Sequence, residues 1–333
     1  MASPATKQVA VEFPGLIKQY TDGTVERLCE FPTAPPNLDS PDPKTGVSSK
    51  DVTISDDPRI SARIYLPKLD ELGKRRKLPV LVYFHAGAFC LGSAFSALQH
   101  GYLNSLSAEA EAIAVSVEYR LAPEHPLPAA YEDSWDVLQW VASSFSAAGD
   151  GEGEEGVERW ILEYGDLDRL FIGGDSAGGN IVHNLAMRAG EEGLFKGEVK
   201  IKGGYLLHPF FWGSNTIGKE PKENHQNSLP AATWRFVYPS APGGLDNAMF
   251  NPGAKGAPPL ARLNCDKLLV CVAGKDQLRE RGVWYYELVK ASGWKGEIEL
   301  YEVEDEDHCF HLFNFGTENS ETMIKRLASF IMS

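Results

Sequence analysis

Polar and apolar residues alternate through Asp51-Val52-Thr53-Ile54-Ser55 and again through Ser61-Ala62-Arg63-Ile64-Tyr65-Leu66, on either side of Asp57-Pro58. Two antiparallel strands with one face wetted would give that pattern. Further along, alternation gives way to apolar runs at 79–85, 112–117, 170–173, 203–207, 267–272 and 298–303. Continuous runs suit strands buried on both faces, as in a parallel sheet. Between them, apolar residues three and four apart predict helices over about 98–110, 128–145, 177–190, 279–292 and 318–331. The last sets Met323, Ile324, Leu327, Phe330 and Ile331 along one stripe. Strands alternating with helices predict an α/β fold with a mostly parallel sheet.

Two stretches break the alternation. Residues 10–50 are rich in proline, and 208–264 is a long connection containing Phe210-Phe211-Trp212, Trp234-Arg235-Phe236 and Pro242-Gly243-Gly244. Long connections inside compact domains usually serve a function, so these two are expected to form a small cap, from about 10–50 and 208–245, over the strand ends. The run Lys74-Arg75-Arg76-Lys77 and the acidic Asp150-Gly151-Glu152-Gly153-Glu154-Glu155-Gly156 are expected to be solvated loops.

At 333 residues and 43% apolar content the chain can bury the core of one large domain. A net charge of −14 argues against nucleic acid or an anionic membrane surface as partner. Five cysteines, odd in number and mostly inside apolar strings, suit reduced thiols in a cytoplasmic setting. The N-terminus has no charged segment followed by an apolar core, and no 18-residue apolar run exists, so neither a secretory signal nor a membrane span is expected. The chain start is expected to be disordered up to about Val9.

The chemistry concentrates where strands end. Gly174-Asp175-Ser176-Ala177-Gly178 joins an apolar strand to a helical pattern, as a nucleophile elbow does. Its glycines admit a sharp turn, and Ser176 Oγ would stand at a helix N-terminus. A serine nucleophile needs a base held by an acid, in the chain order Ser, Asp, His. Asp276 follows the run at 267–272 in a Gly-Lys-Asp turn, and His308 follows the last run. Asp276 alone could be a helix cap, and a lone His is usually structural, but the ordered set of three favours chemistry. Asp266 and Asp246 do not directly follow a buried strand. His308, Cys309 and His311 raise a metal site, yet no second ligand cluster completes it, so no metal and no cofactor is expected. The small residues of His85-Ala86-Gly87-Ala88-Phe89 would let backbone N–H groups approach a substrate oxygen.

These motifs, with Glu118-Tyr119-Arg120-Leu121-Ala122-Pro123-Glu124-His125-Pro126-Leu127-Pro128, resemble the plant carboxylesterases of the hormone-sensitive-lipase-like branch of the α/β-hydrolases, from about Leu16 to Phe330. Residues 205–213, 274–282 and 292–296 look most like the subgroup containing legume 2-hydroxyisoflavanone dehydratases. The resemblance implies an α/β-hydrolase fold with a mostly parallel eight-stranded sheet, helices on both faces and a small cap. It further implies oxyanion donors at Gly87, Ala88 and Ala177, and no cofactor. Ala86 departs from the family's glycine loop and is expected to tilt that loop if its position needs a positive φ. The legume dehydratases carry Thr where this chain has Ser176. His308 separates the chain from the related gibberellin receptors and from alkaloid cyclases that lack it. The expectation is a serine carboxylesterase with Ser176 as nucleophile, His308 as base and Asp276 as its orienting acid. It would act on small apolar or aromatic esters in a pocket walled by Phe210, Phe211, Trp212 and Trp234. A dehydratase or cyclase acting on a plant secondary metabolite is the second reading, and a small-molecule receptor the third. The sequence leaves the oligomeric state open.

Overall fold

A computed structural model describes residues 7–29, 31–69, 76–144 and 158–333. The chain start before Lys7, the first half of the basic run at 74–77 and the acidic run at 150–156 lie outside them. Lys7 and Gln8 are already engaged: Lys7 Nζ donates to Thr24 Oγ1 at 2.8 Å, and Gln8 O accepts from Thr21 N at 2.9 Å.

Eight strands form the main sheet: β4 (Ser48–Asp56), β5 (Arg59–Leu66), β6 (Leu78–Phe84), β7 (Ile113–Glu118), β8 (Gly165–Asp175), β9 (Ile201–Leu207), β10 (Cys265–Ala273) and β11 (Glu297–Val303). Their order is β11-β10-β9-β8-β6-β7-β5-β4. Only β4–β5 and β5–β7 pair antiparallel. The other neighbours pair parallel. Every residue of β6 is buried, which is why its sequence is an unbroken apolar run.

Successive side chains of a strand point to opposite faces, and helices cover both. Val80, Val82 and Phe84 face the core made by α2 (Ala129–Ser143), α4 (Ala177–Glu192) and α6 (Arg279–Ala291). Leu81 and Tyr83 face the core made by α1 (Ala97–Glu109) and α8 (Glu318–Met332). The α8 stripe is buried as its spacing demands, each large side chain contributing about 1.5–3 kcal/mol relative to exposure.

Both stretches outside the alternation carry regular structure. A three-stranded antiparallel sheet comprises β1 (Val9–Phe13), β2 (Ile17–Tyr20) and β3 (Val25–Arg27). Helix α5 (Leu229–Val237) lies within the long connection, and the two segments meet where Phe13 packs edge-on against Phe236 at 5.3 Å. Short helices α3 (Arg159–Tyr164) and α7 (Phe310–Phe313) complete the α-helices among the described residues. Among the described residues, no helix is long and apolar enough to cross a membrane.

Candidate active site

Ser176 is the single residue between the end of β8 and the start of α4, and it sits at φ 55°, ψ −110°. A non-glycine residue pays about 1–3 kcal/mol for such a conformation, so its surroundings must hold it there. They do so through hydrogen bonds. Ser176 N donates to Leu207 O at 2.8 Å, and Ser176 O accepts from Phe210 N and Asn180 N, each at 3.0 Å. Glycine is obligatory beside it, because a Cβ at Gly178 would stand 1.9 Å from Phe84 O.

The acid and base arrive from the next two strand ends. Asp276 follows β10, and its Oδ1 accepts from Leu278 N at 2.8 Å, so it does cap the turn into α6. Its other oxygen, Oδ2, accepts from His308 Nδ1 at 2.8 Å. The capping and orienting readings of Asp276 therefore hold together. With its Nδ1 proton committed to Asp276, His308 presents Nε2 as an acceptor to Ser176 Oγ, 2.9 Å away. The Asp276 side chain is 2% exposed and that of His308 33%, so the line runs from a buried anion to an accessible imidazole. Burial disfavours the His308 cation, but the Asp276 carboxylate on Nδ1 favours it, and the pKa is raised above its ordinary 6.5. The Cys309 thiol is itself pushed up by burial and stays neutral, so the anion that matters is Asp276.

Across the cavity, the loop after β6 carries positive φ at Gly87 (129°), Ala88 (52°) and Phe89 (61°), and not at Ala86. The expected tilt at Ala86 does not occur, because the positive-φ steps fall one to three residues later. A Cβ at Gly87 would lie 2.0 Å from Leu91 O, so the single glycine occupies the position that requires it. Ala86 is held by its carbonyl, which accepts from His85 Nδ1 at 2.6 Å. Burial drives the His85 pKa down to about 4, leaving a neutral ring stacked on Tyr119 at 4.1 Å. Among the described residues the N–H groups of Gly87, Ala88 and Ala177 donate to no backbone carbonyl.

A cavity of about 520 Å³ opens over Ser176 and His308. Gly87 and Ala88 line it, joined by Leu16, Cys29 and Phe31 from the N-terminal segment and Leu229, Pro230 and Thr233 from α5. Of the four aromatics expected as walls, only Phe210 is there. Phe211, Trp212 and Trp234 are at most 1% exposed and belong to the core. Trp234 stacks on Phe250 at 4.3 Å, and Trp212 on His225 at 4.8 Å. Each is fixed by a partner that turns it away from the ligand space.

Sequence reasoning passed over a buried polar layer under the elbow. Asp175, fully buried, accepts through Oδ2 from Tyr83 OH. Its Oδ1 lies 3.3 Å from His311 Nε2, out of hydrogen-bonding alignment. His311 stacks on His208 at 5.6 Å, and His208 lies at the same separation from the His308 ring. The signal was present in the sequence, since a carboxylate inside a buried strand needs a dedicated donor. Among the described residues no group of three His, Cys, Asp or Glu is placed to hold a metal ion.

Residues 81–312 match the family described as alpha/beta hydrolase fold. A "2-hydroxyisoflavanone dehydratase" of Glycyrrhiza echinata is 51% identical over 99% of this chain and 98% of its own. "Probable carboxylesterase 2" of Arabidopsis thaliana is 44% identical over 98% of this chain and 97% of its own. Among solved structures, the Pyrobaculum calidifontis esterase superposes with a TM-score of 0.66 at 28% identity, covering 85% of this chain and 84% of that one. A strand-to-helix serine, the ordered acid and base, the parallel sheet and these likenesses agree, and the chain belongs to the alpha/beta hydrolase family.

Proposed function

We propose that the protein is a serine carboxylesterase that cleaves small apolar or aromatic esters through an acyl-enzyme. The observation that carries this reading is the unbroken line from Asp276 Oδ2 through His308 to Ser176 Oγ, with contacts of 2.8 and 2.9 Å at the cavity floor. In the forward step His308 takes the Ser176 proton as Oγ attacks the ester carbonyl, and Asp276 stabilises the imidazolium that forms. The N–H groups of Gly87, Ala88 and Ala177 receive the developing oxyanion. His308 then gives its proton to the leaving alcohol, and water repeats the cycle to release the acid. We further assign residues 10–50 and 208–245 as a cap that closes a single hydrolase domain, since Leu16, Phe31 and Leu229 roof the cavity. Burst kinetics with p-nitrophenyl butyrate test the reading: Ser176→Ala should abolish the burst and lower kcat at least ~10³-fold. Retained turnover would remove Ser176 from the role.

Elimination of water is the second reading, favoured by the dehydratase name of a 51%-identical relative. There His308 would move a proton while Ser176 only positions the substrate. Ser176→Thr separates the two, because the added methyl stiffens χ1 and crowds the elbow. Ester hydrolysis should collapse in this variant. Water loss from a 2-hydroxyisoflavanone that survives it, in a protein whose wild type hydrolyses esters poorly, would replace the esterase reading.

A further inference from the structure

The cavity wall contains a polar group that neither the triad nor the oxyanion loop uses. Gln99, on α1, is 5% exposed and lines the cavity, and the amide atom placed as its Oε1 lies 2.7 Å from Tyr83 OH. The far end of that amide has no partner among the described residues, yet it is not among the sealed polar atoms, so it opens to the cavity.

Proton counting fixes which end that is. Tyr83 is fully buried and faces two acceptors, the Asp175 carboxylate and the Gln99 amide. Burial keeps its hydroxyl protonated, well above the usual phenol range. A phenol has one proton and cannot satisfy both partners. The carboxylate takes it, since a hydrogen bond to a charged acceptor is about twice as strong as one to an amide. Tyr83 Oη must then accept from Gln99, and only an N–H can donate. Turning the amide over exchanges Nε2 and Oε1 without moving any other atom.

We infer that Asp175 and Tyr83 lock the Gln99 amide with Nε2 toward Tyr83 and Oε1 toward the cavity. Gln99 Oε1 is then a fixed acceptor in an otherwise largely apolar chamber, and it selects ligands that carry a hydroxyl donor, a phenol or an alcohol. The reactive groups process the ester; Gln99 decides which ring substituents settle beside it. This specificity subsite deepens the esterase proposal and rests on it only for the identity of the reacting bond. The anchor is the aspartate that immediately precedes the nucleophile in the chain, so the same strand end holds both.

Binding of unreactive probes tests the inference apart from catalysis. The dissociation constants of 2-naphthol and 2-methoxynaphthalene would be measured by calorimetry at pH 7 on the intact protein. The wild type should prefer the naphthol by at least about fivefold, the equivalent of one net hydrogen bond. Gln99→Met, similar in size and without a carbonyl, should bring the ratio under that mark. Tyr83→Phe should do the same, because the freed amide can offer N–H to the ether oxygen. A wild-type ratio below about fivefold, or a preference for the ether, overturns the assignment without any variant having to fold. So does a preference that survives Gln99→Met or Tyr83→Phe. The p-nitrophenyl butyrate burst is recorded separately: a burst without naphthol preference overturns this subsite alone, and preference without a burst overturns the esterase reading alone.

Discussion

Ser176 and Ala88 share a left-handed backbone, at φ 55° and 52°, and they face each other across one cavity. Strain of this kind persists only where neighbours enforce it, and here both strained residues border the same cavity. The two alanines of the loop should consequently respond in opposite ways to glycine. Ala88→Gly relieves about 1 kcal/mol of left-handed strain and should raise stability by up to that amount. Ala86→Gly relieves nothing and should lower stability by about 0.5–1 kcal/mol through unfolded-state entropy. Urea denaturation of both variants reads the two signs; equal shifts would contradict the assignment of strain to Ala88. At His308 the sign of the pH effect follows from the raised pKa. The general base must be neutral, so kcat/KM should rise with pH through an apparent pKa above 6.5, the free-imidazole value. The same shift makes its ion pair with Asp276 contribute fully to stability below 6.5, a contribution lost as pH passes the folded pKa. Activity and this part of stability therefore move oppositely. A kcat/KM profile already flat between pH 6 and 7 would contradict the pairing.

Strand ends supply every group proposed to react: β8 delivers Ser176, β10 Asp276, β11 His308, and β6 the loop of Gly87 and Ala88. The roof comes instead from β1 to β3 and α5, joined by the contact of Phe13 with Phe236. An aromatic pair is worth about 0.5–1.5 kcal/mol, so Phe236→Ala should raise KM for aryl esters a few-fold and leave kcat within about threefold. A fall in kcat with KM unchanged would mean that α5 supports the reacting groups themselves. These elements also divide by how plainly the sequence shows them. Buried parallel strands advertise themselves as apolar runs, and Ser176, Asp276 and His308, far apart in the chain, could be placed because each follows such a run. The N-terminal sheet gives no such sign, since its strands are short and Val9 and Val11 stand 42% and 38% exposed. Helix α5 spans nine residues with a proline in its first turn, too few for a periodicity to declare itself. The aromatics at 210–212 and 234 could be found but not sorted. Composition marks a large ring as fit for a core or for a pocket, and only the partners of Trp212 and Trp234 settle that they are core.

Across the whole molecule, three buried histidines oppose folding in acid. Burial holds His85 and His183 down to about 4 and about 3, and His208 falls well below 6.5 with His308 and His311 nearby. Each binds a proton in the unfolded chain before it can in the folded one, so stability falls as pH drops below 6.5. At pH 5 the loss is about 2 kcal/mol per histidine, partly offset by His308. Urea denaturation at pH 7 and pH 5 should show it, and His183→Gln should reduce the difference by about 2 kcal/mol. An unchanged difference would mean that His183 carries a proton in the fold. The central claim is that this fold activates Ser176, and intact-protein mass spectrometry after a fluorophosphonate reads that directly. Wild-type protein should gain a single phosphonyl group with loss of fluoride, and Ser176→Ala should gain none. An unlabelled wild type, or equal labelling of Ser176→Ala, would contradict the account.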